Sequence, residues 1–323
     1  MSGPGGPRVV AIGGGHGLAA TLRAVRTYAG HITAVVSVAD DGGSSGRLRR
    51  SVDIPAPGDL RRCLVALADP DSLWAKVFDY RFGAGDLDGH ALGNLIIAGL
   101  SQATGDFSVA LEEAAALLGV DGRVLAVTTS PAVLRASVHG AEVIGEVEVN
   151  GWRGPIASVS VLGADGGETR APPAVVEAVA DADQVVIGPG SLYTSVLAAC
   201  VVPGVREALA ARPGGRVYVA NLAPEHPETA GMTLAAHLAA LGTHAVTVDA
   251  VVCDRVAFEA AGGPPGPGHG PGEGWTPAMG GINGRSGAPP RVIDAALAGP
   301  GGRNHHAEQL GAVLESLAGG PGT

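Results

Sequence analysis

The sequence has few aromatic residues and little positive charge, and both shortages exclude classes of protein. Aromatic residues make up 3% of the 323 residues, although hydrophobic residues make up 46%. Aliphatic side chains must therefore fill the core, which is typical of helices packed on a parallel β-sheet. The formal net charge is -10. We expect no nucleic-acid partner, because such partners need a basic surface.

Cysteines and long apolar runs are also scarce. The three cysteines are Cys63, Cys200 and Cys253, and none has the C-x-x-C spacing. Neither disulfides nor a zinc site is therefore expected. Gly, Pro or charge interrupts each apolar run before it reaches membrane-spanning length, and no signal peptide is recognisable. We expect a soluble, cytoplasmic protein with no membrane insertion.

The stretch from Arg8 to Arg50 has the pattern of a parallel βαβ unit. An apolar run (Val9 to Ile12) precedes a helix pattern (Leu18 to Tyr28) and a second apolar run (Ile32 to Val38). Such units place ligands at the carboxyl ends of their strands. The first strand pattern is followed by a glycine loop that consists of Gly13, Gly14, Gly15, His16 and Gly17.

This glycine loop is suited to holding an anion. Without side chains, a phosphate can approach the free backbone N–H groups at the helix start. The loop is not the complete dinucleotide fingerprint, because Leu18 stands where G-x-G-x-x-G requires its third glycine. The alternative is a tight strand-to-helix turn with no ligand.

Strand and helix patterns alternate along the rest of the chain. This predicts an α/β fold with a Rossmann-like, doubly wound, mostly parallel sheet. The runs Ala141 to Val149 and Ile156 to Leu162 suggest the strands of a small antiparallel insertion. We divide the chain into a Rossmann-like domain (1–253) with its insertion at about 128–170, a flexible Gly/Pro-rich loop (254–290), and a C-terminal strand and helix (291–323) that complete the same domain.

Four loops share one design, in which a strand or turn leads into Gly with Ser, Asp, His or Asn and then into a helix. Doubly wound folds bring such loops together along one edge of the sheet. We therefore expect the Gly14 and Gly190 segments to meet. After the glycine loop, the second loop contains Asp40, Asp41, Ser44, Ser45 and Arg47, the third contains His90 and Asn94, and the fourth contains Gly188, Gly190, Ser191 and Thr194.

The polar residues of these loops suit a nucleotide. Asp40 and Asp41 are candidates for the ribose hydroxyls or for a Mg²⁺ that bridges phosphates, although adjacent acids point to opposite sides unless the backbone bends. Asp59 either caps the next helix or joins the site. Asn94 can hydrogen-bond a base, a sugar or the Asp40 loop, whereas an isolated His such as His90 is usually structural.

The fourth loop resembles a second phosphate cradle but no catalytic motif. No Lys follows it as a P-loop requires, so Walker-type ATP hydrolysis is not expected. Ser191 lies in G-P-G-S, which lacks the G-x-S-x-G spacing of a nucleophile elbow. The sequence identifies no catalytic residue.

Five motifs in order and spacing resemble one known family. They are GGGHGL, DDGGSSGRLR, PGDLRRCLVAL, HALGNLIIAGL and GPGSLYTSVL. They resemble the bacterial gluconeogenesis-factor (YvcK-like) family, within the superfamily of CofD-like 2-phospho-L-lactate transferases. The likeness spans about Val9 to Leu241 and again the closing helix.

The resemblance implies a cytoplasmic protein that binds a UDP-sugar, with UDP-N-acetylglucosamine the expected ligand. It implies a regulator of cell shape and peptidoglycan synthesis during gluconeogenic growth, without turnover and under Ser/Thr-kinase control. We also expect a homo-oligomer. The transferase branch instead uses a divalent metal to move a phospholactyl group to a deazaflavin, and Asp40, Asp41 and Asp59 fall where that branch would place metal and acceptor contacts.

The chain departs from the family pattern at several positions. His16 replaces a Thr or Ser, Phe258 replaces a Tyr, and the stretch after Asn221 differs from the usual M-T-Q-x-G-E-T. The resemblance makes Asn221 and Arg303 candidate ligand contacts, although the acid that normally follows Arg303 is absent. A deazaflavin calls for aromatic stacking that this chain scarcely offers, which favours the regulator over the transferase. A scaffold with no nucleotide affinity is the third alternative.

Overall fold

The computed structural model describes residues 5–224, 227–263, 289–302 and 304–318. The candidate contact Arg303 and most of the Gly/Pro-rich loop lie outside the described residues. The strands are β1 (Arg8–Gly13), β2 (His31–Val36), β3 (Arg123–Ala126), β4 (Ala132–Val138), β5 (Ala141–Ile144), β6 (Ser158–Gly163), β7 (Gln184–Ile187), β8 (Arg216–Val219), β9 (Ala250–Cys253) and β10 (Arg291–Asp294).

Seven strands form a parallel sheet in the order β10-β9-β8-β7-β1-β2-β3. Chain order therefore runs outward in both directions from the β1–β7 pair, where Val9 is in register with Gln184. This pair is the topological switch point, beside which doubly wound folds leave a crevice at the carboxyl ends of the strands. The predicted Rossmann-like α/β fold is confirmed.

Helices cover this sheet and supply its core. Leu18 and Leu22 of the first helix are fully buried, as are Val185 and Ile187 of β7. The helices are α1 (Gly15–Val25), α2 (Gly43–Val52), α3 (Gly58–Leu67), α4 (Leu73–Asp79), α5 (Leu92–Thr104), α6 (Phe107–Leu118), α7 (Glu146–Asn150), α8 (Pro173–Asp181), a π-helical segment (Leu192–Leu197) that continues into α9 (Ala198–Cys200), α10 (Val205–Ala211), α11 (Leu234–Thr243), α12 (Arg255–Ala260) and α13 (Ala307–Ala318), with a 3₁₀ turn at Gly85–Leu87.

The small antiparallel insertion is also confirmed, as a three-stranded sheet in the order β5-β4-β6. The prediction of a β-run over Ala141 to Val149 is wrong in its second half. Gly145 has a φ of 106°, which ends the strand, and α7 begins at the next residue. The central strand β4 was not among the predicted runs, although its residues alternate between buried and partly buried as a half-covered strand requires.

Among the described residues, no single helix is both long and apolar enough to cross a membrane. One bent pair, Leu192–Cys200 with Val205–Ala211, reaches that length and apolar character when its two halves are taken together.

Candidate functional site

A polar cleft of about 380 Å³ lies at the carboxyl ends of β1 and β7. It occupies the crevice that the switch point creates. Of the residues predicted from the sequence, those that line it are Gly14, Gly15, His16, Gly17, Asp40, Asp59, Gly190, Ser191 and Thr194. Its lining also includes Ser37, Arg62, Glu146, Asn150 and Ser195, which were not among the predicted site residues.

Two glycine loops meet in this cleft. A Cβ placed on Gly190 would lie 3.5 Å from the carbonyl oxygen of Gly14, and one placed on Gly17 would overlap the carbonyl of Pro189. The hydroxyl of Thr21 donates to the carbonyl oxygen of Gly188 at 2.7 Å and ties α1 to the fourth loop. The loops approach this closely only because glycines supply both faces of the contact.

The side chain of Asp59 lies against the start of α1, and it does not cap its own helix, α3. The N-cap of α3 is Pro57, and Asp59 Oδ2 instead accepts the N–H of Gly15 at 2.7 Å, while Arg62 pairs with Oδ1. A carboxylate is stabilised there because the helix N-terminus carries partial positive charge. The N–H groups of His16 and Gly17 also lie in this first turn, where a helix offers no internal acceptor.

Asp40 faces the cleft, and its surroundings hold it in place. Its Oδ1 accepts the N–H of Gly42 at 2.8 Å, and the Ser45 hydroxyl also bonds its carboxylate. Burial raises the pKa of Asp40, and nearby Asp59 adds to the effect, while these hydrogen bonds oppose it. Ser45 therefore acts on the cleft through Asp40.

Asp41 points toward the insertion. Its Oδ1 accepts the N–H of Val147 at 3.0 Å, and a Cβ on Gly145 would lie 2.6 Å from its Oδ2. Asp40 and Asp41 thus serve different neighbours, and the described residues contain no group of three or more acidic, His or Cys side chains arranged to hold a metal ion. The two carboxylates therefore do not form a ready-made pair, and a Mg²⁺ that also binds phosphates at Asp40 or Asp41 stays a prediction.

Glu146 contributes the most unusual carboxyl group in the cleft. Burial, together with the nearby carboxylates of Asp40, Asp41, Asp59 and Glu228, raises its pKa to about 7. Glu146 is the first residue of α7, so the insertion brings it to the two glycine loops. The sequence offered no signal for it, because the same stretch read as a strand.

His16 differs from the Thr or Ser of the family pattern but adds no charge. Its pKa is lowered by burial and by the positive charges of Arg62 and Arg61, with Asp59 and Asp79 opposing. The shift favours the neutral imidazole, which donates one hydrogen bond and accepts another.

Four predicted site residues form a separate network that does not line the cleft. Ser44 Oγ lies 3.0 Å from His90 Nδ1, and Asn94 Nδ2 donates to the same hydroxyl at 3.1 Å. Arg47 Nε donates to His90 Nε2 at 3.0 Å. Ser44 and Arg47 lie in the first turns of α2, so the network joins this helix to the residues around the start of α5.

Two side chains that do not line the cleft hydrogen-bond the fourth loop and hold its shape. Asn221 Oδ1 accepts the N–H of Gly190 at 2.8 Å, and its Nδ2 donates to the Gly190 carbonyl at 3.0 Å. Buried Glu228 accepts the N–H groups of Tyr193 and Thr194 and the Thr194 hydroxyl. Asn221 therefore shapes the loop without lining the cleft, as does Gly188, whose carbonyl binds Thr21. Gly13, the last residue of β1, does not line the cleft either.

Comparison with known proteins identifies the family. The model of the family described as 2-phospho-L-lactate transferase CofD matches residues 9–262. A Bacillus subtilis protein named gluconeogenesis factor is 41% identical over 241 residues, which cover 74% of this chain and 75% of that protein. The chain belongs to the gluconeogenesis-factor family, within the CofD-like superfamily.

Other members support this placement. The Halalkalibacterium halodurans gluconeogenesis factor is 43% identical over 73% of each chain. A Nostoc relative is 42% identical over 79% of this chain, which spans only 54% of that relative's length. A crystal structure of a UPF0052-family protein from Bacillus halodurans superposes on this gluconeogenesis-factor chain with a TM-score of 0.81 and 33% identity, covering 95% of this chain and 97% of the other.

Proposed function

We propose that the cleft binds a UDP-sugar, namely UDP-N-acetylglucosamine, and that the chain is a cytoplasmic regulator of cell shape and peptidoglycan synthesis during gluconeogenic growth. The meeting of the two glycine loops at the β1–β7 switch point carries the proposal. Rossmann-like proteins bind the diphosphate of a nucleotide at this position. The name of the relatives supports the link to gluconeogenesis.

The chemistry of the lining suits phosphate and sugar groups. The hydroxyls of Ser37, Ser191 and Ser195 belong to the cleft wall, together with the first-turn N–H groups of His16 and Gly17. Such donors bind phosphate oxygens and sugar hydroxyls. No Phe, Tyr or Trp is among the described residues that line the cleft, so a deazaflavin ring would have no aromatic side chain on which to stack.

Calorimetric titration of the full chain with UDP-N-acetylglucosamine, UDP and GTP tests the proposal. We expect selective binding of the UDP-sugar that persists in the presence of a metal chelator. Preference for GTP, or no heat with any nucleotide, would contradict it, and the second result would favour the scaffold.

Replacing Ser195 by Ala tests whether the ligand occupies this cleft. A Cβ on Gly14 would lie 3.3 Å from the Ser195 hydroxyl, so this hydroxyl lies beside the glycine loop. Loss of a hydrogen bond to a charged oxygen weakens binding by about tenfold. Ser130→Ala, at an exposed position outside the lining, is the control and should bind as the parent does. Equal affinities for the two variants would place the ligand elsewhere.

A CofD-like phospholactyl transferase is the second candidate. The family model and the Glu146 carboxyl favour it, because a group with a pKa of about 7 can exchange protons at neutral pH. Incubation with a phospholactyl nucleotide and a deazaflavin acceptor, followed by mass spectrometry, should give no product under the regulator proposal. Product that disappears in Glu146→Gln would establish the transferase instead.

The regulator proposal includes control by a Ser/Thr protein kinase and self-association. Mass spectrometry of phosphopeptides from cells grown on a gluconeogenic carbon source tests the first. Light scattering of the purified chain tests the second, and a mass equal to that of one chain at every concentration would contradict it.

A further inference from the structure

A second cavity, of about 290 Å³, shares His16 and Arg62 with the cleft. It lies between α1, α3 and the start of α13, and its wall includes Arg23, Arg61, Asp79 and His305. Three guanidinium groups thus line one small cavity of a protein whose formal net charge is -10. This concentration of positive charge is not a consequence of overall composition.

The nearby carboxylates neutralise only two of these three arginines. Arg62 pairs with Asp59, and Arg61 pairs with Asp79. Arg23, in the last turn of α1, forms no ion pair with any of the described residues. The cavity therefore carries net positive charge.

Arg61 is built into the wall rather than attached to its surface. It is 3% exposed, and one of its terminal nitrogens donates to the Phe78 carbonyl at 3.2 Å. A Cβ on Gly93 would lie 2.9 Å from Arg61 Cδ and 2.7 Å from the Phe78 carbonyl oxygen. The glycine of the H-A-L-G-N motif thus provides the space that the Arg61 side chain occupies.

Two buried nitrogens in this wall have no hydrogen-bond partner. They are Nε of Arg61 and Nε2 of His305. A buried polar group without a partner costs about 1–3 kcal/mol, so native structures retain few of them, often where a ligand or water completes the bonding. Arg61 Nε is an N–H donor that lies just beneath the surface of the wall, where a shift of the side chain would expose it to an anion.

His305 adds an acceptor to these donors. Burial lowers its pKa to about 4, so the ring is neutral at pH 7, and a hydrogen bond to the backbone of Ala220 involves the other nitrogen. A neutral imidazole that donates through one nitrogen accepts through the other. The cavity therefore combines cationic donors with one acceptor suited to a hydroxyl or a protonated oxygen.

We propose that this cavity is a second anion site, which binds a phosphate or carboxylate group through Arg23 and Arg61 beside the cleft. A monoprotonated phosphate supplies both the negative oxygens for the arginines and the O–H for His305. The anion is a separate small molecule, because uridine and N-acetylglucosamine carry no charge and the diphosphate of the proposed UDP-sugar is assigned to the cleft. His16 and Arg62 line both cavities, so the two ligands would lie side by side.

Titration with inorganic phosphate, followed by calorimetry or ³¹P line broadening, tests the proposal. We expect the parent chain to bind phosphate and Arg23→Ala to bind it about tenfold more weakly, as loss of one charge-assisted hydrogen bond predicts. Arg206→Ala, which removes an exposed charge on α10, is the matched control and should bind phosphate as the parent does. Melting temperatures verify that both variants fold.

The same titration at saturating UDP-N-acetylglucosamine distinguishes this cavity from the cleft. Unchanged phosphate affinity supports a separate anion site, whereas displacement of phosphate by the UDP-sugar would place the phosphate in the cleft and overturn the proposal. Phosphate affinity and stoichiometry that are the same in Arg23→Ala as in the parent would overturn the proposal, as would no phosphate binding by the parent. A chain that binds phosphate through Arg23 but no UDP-sugar would contradict the proposed function alone.

Discussion

Glu146 shows how the cleft changes the chemistry of a single residue. Its carboxyl group titrates near pH 7 in the folded chain against a reference value of 4.5. The folded state therefore binds the proton more tightly than the unfolded state does. Through linkage, ionisation of Glu146 destabilises the folded state relative to the unfolded state. This destabilisation grows as pH rises from about 4.5 to 7 and is complete above that range.

Replacing Glu146 by Gln should remove this destabilisation. We expect Glu146→Gln to raise the free energy of unfolding at pH 8 by on the order of 1–2 kcal/mol, after allowance for solvent screening. The gain should diminish as pH falls and vanish near pH 4.5. Urea unfolding at several pH values measures it. Exposed Glu148, on the same helix, provides the control Glu148→Gln, for which we expect no comparable trend. A gain independent of pH would contradict the shifted pKa.

Site residues could be predicted from the sequence where their role depends on neighbouring residues in the chain, and could not where it depends on contacts between distant segments. Gly14, Gly15 and Gly17 were predictable because a glycine-rich strand-to-helix turn is a local signal. Asp59 was expected either to cap its own helix or to join the site, and its bond to Gly15 depends on how α3 packs beside α1. The burial of Arg61 has no local signal, because it requires the glycine at position 93 in another helix.

At the scale of elements, the contact between the two glycine loops is the most sensitive feature. Gly17→Ala places a methyl group onto the carbonyl of Pro189, and backbone atoms on both sides must move apart. We expect a loss of at least about 2 kcal/mol of stability, together with weaker binding of UDP-N-acetylglucosamine. Denaturant unfolding and calorimetry measure the two effects.

Gly99 provides the matched control, since it also lies inside a helix but has open space where a Cβ would stand. Gly99→Ala should be neutral or stabilise the chain by up to about 1 kcal/mol, because Ala is the better helix former. Similar losses for Gly17→Ala and Gly99→Ala would show that the loops are not in close contact.

Elements were predictable where periodicity was unbroken. The apolar runs of β1 and β2 carry clear patterns, and the structure places these strands within a few residues of the prediction. The insertion was harder, because Val147 and Val149 favour a strand by propensity. Asp41 accepts the Val147 N–H, and Gly145 turns the chain, so tertiary contact overrides propensity in α7.

For the whole molecule, strand order determines where the site lies. The parallel βαβ pattern predicted that loops would gather at one sheet edge, and the placement of β7 beside β1 brings the Gly188–Thr194 loop to the glycine loop. Long-range pairing of this kind is not encoded in any local pattern. Family resemblance supplied the expected ligand, whereas only the fold shows that Ser44, Arg47, His90 and Asn94 form a network outside the cleft.

Hydrogen–deuterium exchange with and without UDP-N-acetylglucosamine tests most directly whether both loops grip one ligand. We predict slower exchange in peptides that cover residues 13–18 and 188–195 together, and unchanged exchange in α6, which does not line the cleft. Protection of one loop alone, or protection confined to other parts of a chain that binds the nucleotide, would contradict a shared diphosphate site at the β1–β7 switch point.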